Sequence, residues 1–169
     1  DQADIQHRFA RSAAIKATKV PDPKKYDAEA RKAFAKALEL KPDDYRIWAN
    51  AAQHELNMQR YGQAVDLMEK AQQQLENSAG IHVRYAELLR QLGRTEQQVL
   101  TQVQLRRRIQ EQYEKALAVY QGLLESFPAG INQGLIQFEL GSCYQMLDRH
   151  EAALAAYYAS LETHPKPQL

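Results

Sequence analysis

Few side chains in this sequence could do chemistry, and they are scattered. The five histidines are His7, His54, His82, His150 and His164. None is spaced from another, or from Cys143, as zinc ligands are. His54-Glu55 lacks the second histidine of a zinc-protease helix. Cys143 lies between Leu140 and Tyr144 with no histidine placed to activate it, so it reads as a small core residue and not as a nucleophile. Gly130 and Gly134 flank a turn without forming a phosphate-binding loop. The carboxylates are numerous, but none sits in an apolar run that would tune it for acid-base work. Arg106-Arg107-Arg108 form a basic run, with Glu111 and Glu114 one turn on to pair with it, which reads as a solvated helix face and not a nucleic-acid patch. The expectation is no metal, no cofactor and no enzyme.

A binding role remains, and the elements must supply its surface. Of 169 residues, 44% are hydrophobic, enough for a continuous core, and 25% are charged, enough to solvate the outside. The 22 basic and 21 acidic residues nearly cancel, so a net charge of +1 gives no general attraction to nucleic acid or membranes. A single cysteine rules out a disulfide scaffold. No apolar run nears the roughly 18 residues of a bilayer span. With only 7 Gly and 6 Pro, long stretches lack breakers, which favours helices. The first residue is Asp1 and no signal peptide is visible; the chain is expected to be processed or excised. The compartment stays open: cytoplasmic, or periplasmic after signal removal.

A repeat organises the helices. Ala30, Phe34 and Pro42 share their spacing with Ala116, Tyr120 and Pro128, and with Ala153, Tyr157 and Pro165. Ala64 and Met68 keep the first step. Ala30 and Ala64 are 34 residues apart, as are Trp48 and His82. A small residue lets two helices approach, a large one a turn later fills the gap, and a proline ends the helix. Upstream of the last copy, Leu140, Gly141 and Tyr144 stand in LGSCY. Together these residues make the chain resemble the tetratricopeptide repeat family, over about residues 11–165. The resemblance implies an all-α superhelical solenoid of about four helical hairpins. Only Trp48 keeps the signature tryptophan. Ala51 and Ala52 replace its Leu-Gly, Gln137 and His82 occupy Trp positions, His150 stands where Tyr is usual, and Tyr85, Ala86 and Leu89 replace Leu, Gly and Tyr. His82 is expected to pack.

The spacing predicts helices over 4–18, 26–40, 44–58, 61–76 and 79–92. Asp44 and Ser78 are the expected N-caps, and Gly62 with its neighbours an expected break. Residues 94–126 are irregular, because a second copy of the second-helix motif begins at Tyr113 with no first helix before it. Gln98 and Ala116 are 18 residues apart, about five turns, so both copies fit one unusually long helix of about 33 residues, roughly 50 Å. It would join half-arrays 1–109 and 112–165 within a single domain spanning 1–169. Its exposed Val99, Val103, Leu105 and Ile109 would then form a homodimer seam. A kink near Arg106–Arg108 is the alternative.

By the resemblance, the first helix of each repeat lines a concave face that holds a partner. The positions concerned are Arg46, Asn50, Gln53 and Asn57, then Arg84, Glu87 and Gln91, then Leu135, Phe138, Glu139, Ser142 and Met146. The early half is polar and the late half apolar, which suits a protein or peptide with an acidic or amide-rich part and an apolar anchor. Some family members clamp the C-terminal carboxylate of heat-shock chaperones. Asn50 and Arg84 match two clamp positions, but Gly80 replaces its lysine, and Lys16 and Lys19 only approximate the first pair. The expected function is a protein-interaction scaffold, within a multiprotein assembly. The alternatives are a regulatory or targeting domain cut from an enzyme such as a glycosyl- or sulfotransferase, and a self-assembling structural protein. The ending His164-Pro165-Lys166-Pro167 reads as a boundary, with no polar closing helix.

Overall fold

The computed structural model describes residues 1–96, 99–126 and 131–163. These residues form helices α1 (Gln2–Ala17), α2 (Lys24–Leu40), α3 (Tyr45–Asn57), α4 (Tyr61–Gln74), α5 (Ala79–Leu92), α6 (Gln102–Ser126), α7 (Ile131–Met146) and α8 (His150–Glu162), and no strand. Consecutive helices pair as hairpins, α1 with α2, α3 with α4, α5 with α6 and α7 with α8. Neighbouring hairpins meet chiefly through α3 with α5 and α6 with α7. This is the expected all-α solenoid.

The repeat residues do the packing. Ala30, Ala64, Ala116 and Ala153 are each at most 4% exposed, so the small side chains mark the helix crossings. The core is a string of three clusters. One gathers Ala30, Phe34 and Ile47, the next Trp48, Met68, Leu89 and Leu105, and the last Ala86, Tyr113, Leu140, Cys143 and Ala156. Each cluster joins neighbouring hairpins only, as expected when a repeat cannot bury its apolar face alone. Trp48 donates its indole N–H to the Pro42 carbonyl at 2.8 Å, six residues back. His82, one period later, places Nε2 2.8 Å from the Glu76 carbonyl, also six residues back, and Nδ1 2.9 Å from Gln112 Oε1. The imidazole therefore does the indole's work at this position, which confirms it as a packing residue.

Two turns inside hairpins are built alike. Gln59 and Asp148 take φ of 61° and 58°, and the following Arg60 and Arg149 N–H groups each reach back five residues, at 2.9 Å, to the Glu55 and Tyr144 carbonyls. This left-handed closing residue satisfies the orphan carbonyls of a helix end. The break is thus at Gln59, and Gly62 lies inside α4, contrary to the expectation from sequence. Asp44 caps α3 by accepting from the Arg46 N–H, but Ser78, at the N-cap of α5, makes no side-chain capping bond. An ionic cluster braces the first turn. Asp27 accepts from Arg60 at 2.7 and 3.0 Å and lies 2.8 Å from His54 Nε2, while Arg60 Nε also bonds Glu55. His54 Nδ1 is buried without a hydrogen-bond partner among the described residues.

The stretch 94–126 does contain the longest helix, but that helix has 25 residues and begins at Gln102. Gly93 has φ of −64°, not the left-handed value of the other two turns, so the chain does not turn back at once. The Thr95 hydroxyl bonds the Leu92 carbonyl at 2.7 Å and closes α5. Thr101 then opens α6 with a capping box. Its Oγ1 accepts from the Gln104 N–H at 3.2 Å, and Gln104 Oε1 accepts from the Thr101 N–H at 2.9 Å. The helix runs through Arg106–Arg108 without a break. The expected dimer seam is not present as drawn. Leu105 is 1% exposed within the second cluster and Ile109 packs against it, leaving Val99 and Val103 exposed. Gln98, Pro128, Pro165 and the tail from His164 lie outside the described residues.

Candidate functional site

The inner helices α1, α3 and α5 border a groove of about 620 Å³. Six of the residues expected on the early concave face line it: Arg46, Asn50 and Gln53 from α3, and Arg84, Glu87 and Gln91 from α5. Asn57 joins it indirectly. Gln53 Nε2 donates to Asn57 Oδ1 and to Gln91 Oε1, each at 3.0 Å, which ties α3 to α5 by side-chain amides. Sequence reasoning missed the third wall. Asp4, His7, Arg8 and Arg11 of α1 also line the groove. Their spacing is that of one helix face. However, α1 carries neither the tryptophan nor the Leu-Gly pair that would have fixed which face points inward.

The electrostatics of the groove are uneven. Arg46 is held by its own neighbour. Its Nε and Nη2 bond the two Asp44 oxygens at 2.9 and 2.7 Å. That guanidinium holds the Asp44 carboxyl below its usual range, against the opposing effect of burial. Arg84 gives one nitrogen to Glu87 at 2.7 Å, which leaves the rest of its fork available. Asp4 is 3.5 Å from Lys41. Arg8 and Arg11 form no ion pair among the described residues, so the α1 wall carries the uncompensated positive charge.

His7 stands between these charges. The Asn50 amide donates to its Nε2 at 2.8 Å, and its ring lies 6.3 Å from that of Phe34. Burial lowers its pKa from 6.5. Asp44 opposes this, Arg11 and Arg46 add to it, and Asp4 opposes it. The ring is therefore neutral near pH 7 and serves as acceptor to Asn50.

The late residues do not line this groove. Leu135 and Phe138 are 56% and 52% exposed on α7, and the Phe138 ring lies 5.6 Å from Tyr157 of α8. Ser142 accepts from the Tyr157 hydroxyl at 3.4 Å, and the Met146 sulfur accepts from Arg90 at 3.4 Å. Glu139 is partly buried, and its charge adds to the Glu87 hydrogen bond in raising the pKa of Arg84 and to burial in raising that of Tyr120. A clamp lysine is absent from the groove lining. Gly80 abuts the Tyr45 ring, and Lys16 sits 5.6 Å over the Tyr26 ring instead. Cys143 is 1% exposed, and burial, with Glu139 and Glu87, pushes its thiol up to about 12, so it stays protonated. Among the described residues no group of three or more His, Cys, Asp or Glu is placed to hold a metal, and no helix is long and apolar enough to cross a membrane.

No curated protein sequence matches the chain. Among solved structures, a MamA double mutant (RS-1 ArsTM) matches at 16% identity and a TM-score of 0.47, covering 98% of this chain and 76% of that one. A MamA structure from AMB-1 matches at 19% identity and a TM-score of 0.40, over 80% of this chain and 68% of that one. A third MamA crystal structure matches at 13% identity and a TM-score of 0.45, over 82% and 68%. The tetratricopeptide repeat profile matches residues 28–79 and 100–167, which span α2 to the start of α5 and all of α6 to α8. With its stacked hairpins and its small-then-large packing pairs, this chain belongs to the tetratricopeptide repeat family.

Proposed function

We propose that this protein-interaction scaffold holds a segment of a partner protein in the groove along α1, α3 and α5, as one component of a multiprotein assembly. The observation that carries the reading is the chemistry of the groove walls. Three successive inner helices present guanidinium groups and side-chain amides to one shared space of about 620 Å³. Backbone and side-chain polar groups of an extended or helical segment would meet matching donors and acceptors there. A segment crossing from α1 to α5 spans two helix spacings of about 8–10 Å each. At about 3.3 Å per residue, some six extended residues cover it. Photo-crosslinking tests this reading. A benzoylphenylalanine at Gln91 should capture a discrete partner protein, and one at Lys32 on α2 should not. Equal capture from both positions would refute the groove.

Self-assembly is the second reading, favoured by one observation. Leu154, Tyr158 and Leu161 of α8, at helical spacing, are 57%, 65% and 68% exposed. Such an apolar stripe suits contact with another helical surface. Light scattering over a range of concentrations tests it. Mass that rises with concentration, and falls back in Leu154→Asp, supports it.

A further inference from the structure

We infer that the segment bound in this groove is acidic, and that its carboxylates dock on Arg8, Arg11 and Arg84 with uptake of a proton by His7. The inference rests on the groove reading above and names the chemistry of the occupant. Its first support is the division of labour among the arginines. Arg46 has its fork filled by both oxygens of Asp44 and is spent within the fold. Arg84 is bound through one nitrogen only, and Arg8 and Arg11 are unpaired among the described residues. Guanidinium forks match carboxylates in geometry as well as charge.

The second support is the position of His7. On its own helix it faces Asp4, Arg8 and Arg11. From α3 it faces Asp44, Arg46 and Asn50, and from α2 the Phe34 ring. Lys41, at the end of α2, is engaged with Asp1 and Asp4. In the free groove His7 accepts from Asn50, which requires an unprotonated Nε2. A carboxylate arriving between Arg8 and Arg11 adds negative charge beside the ring and favours the imidazolium. Protonation also ends the Asn50 bond, freeing the amide to donate to the ligand. The sign follows. Bound His7 has the higher pKa, so the ligand tightens its hold as pH falls from above the bound value to below the free one. A separation of one unit gives up to about tenfold. Further acidification protonates the ligand itself, near pH 4, and reverses the gain.

The same charges argue against a nucleic acid in the groove. A phosphate backbone is continuously negative. Asp4 and Glu87 line the groove between the arginines and would repel it. Carboxylates spaced about three extended residues apart can address successive inner helices and pass these acids by.

The test uses the whole chain and a fluorescein-labelled dodecapeptide with Asp or Glu at every third position. An Asn/Gln counterpart and a twelve-base single-stranded oligonucleotide serve as comparisons. Anisotropy from pH 8 to pH 5.5 should show binding of the acidic peptide that tightens about three- to tenfold toward pH 6. The amide peptide should bind at least tenfold more weakly. Arg8→Glu with Arg11→Glu should remove acidic-peptide binding at every pH. His7→Gln should lose the pH dependence, its affinity at pH 5.5 staying within about twofold of its own affinity at pH 8. Circular dichroism confirms that each variant folds. The inference is overturned by an acidic peptide that does not bind, by a wild-type affinity that is flat with pH, or by amide peptide or oligonucleotide binding as tightly. In those cases capture from Gln91 still decides the groove reading on its own.

Discussion

Gly141 offers the sharpest test of the packing that stacks the last hairpin. It lies in α7, and a Cβ built on it would stand 2.6 Å from Cδ1 and Cε1 and 3.0 Å from Cγ of Tyr157 in α8. Ordinary carbon contacts lie near 3.5–4.0 Å, so Gly141→Ala demands about 1 Å of movement. The ring cannot simply swing aside. The clash reaches Cγ, close to the backbone, and the Tyr157 hydroxyl is bonded to Gln145 Oε1 at 2.9 Å. Overpacking of this kind costs about 1–3 kcal/mol, while replacing a helical Gly by Ala returns about 1 kcal/mol of intrinsic propensity. Gly122, inside α6, supplies the control, since nothing lies within 4 Å of its Cβ position. Gly122→Ala keeps the propensity gain without the clash. The difference between the two variants therefore isolates the overpacking of about 1–3 kcal/mol.

Urea unfolding followed by circular dichroism reads this difference, and so does the midpoint temperature, at about 2–4 °C per kcal/mol for a chain of this length. Repeats contact only their neighbours, so hydrogen exchange should rise in α7 and α8 before α1 to α4. Tyr157→Leu should shrink the cost of the alanine in a double-mutant cycle. If Gly141→Ala matches Gly122→Ala in stability, or the exchange rises elsewhere, α7 and α8 do not meet as described.

Other consequences are as direct. Thr101→Ala removes half of the capping box and should cost about 1 kcal/mol, with faster exchange confined to the first turn of α6. His82→Phe keeps the bulk but deletes the contacts to Glu76 and Gln112, and should destabilise by about 1–3 kcal/mol in urea; Trp48→Phe loses one bond and part of the buried indole's bulk, and should cost about 1–3 kcal/mol. Burial works to raise the Asp27 pKa, but hydrogen bonds from Arg60 and His54 prevail and lower it. Its stabilising contribution is therefore present above the unfolded value of about 3.9 and is lost as pH falls through the folded one. In an acid titration, Asp27→Asn should show a shallower loss of stability below about pH 4 than the wild type, and equal slopes would refute the assignment.

The sequence was most legible where packing leaves a fixed residue type at a fixed spacing. Ala30, Ala64, Ala116 and Ala153 had to be small for two helices to touch, and each proves buried. The same logic placed His82 in the core through its period from Trp48, although no rule of composition says that an imidazole and an indole can reach the same carbonyl six residues back. Legibility failed where a local hydrogen bond outvoted the period. The phase from Gln98 to Ala116 argued for one continuous helix, and the apolar spacing allowed it. Thr101 and Gln104 nevertheless close a capping box, and two reciprocal bonds start the helix there. That signal, Thr followed three residues later by Gln, was in the sequence but was outweighed by periodicity.

The groove shows the same division. Inner-face residues on α3 and α5 could be assigned because Trp48 and His82 fix the phase of their helices. The α1 wall could not, since His7, Arg8 and Arg11 acquire a facing only when α1 packs on α2 and α3. Nor does residue type reveal which arginine is free. Arg46 and Arg84 look alike on paper, yet the N-cap geometry of α3 presents both Asp44 oxygens to one of them, and a partner one helical turn away takes a single nitrogen of the other. Repeat spacing thus fixes where a partner can lie, but the charge it meets is decided by capping and neighbour contacts that vary from one hairpin to the next. A test of specificity in this chain should therefore vary the arginines one at a time and treat each as chemically distinct.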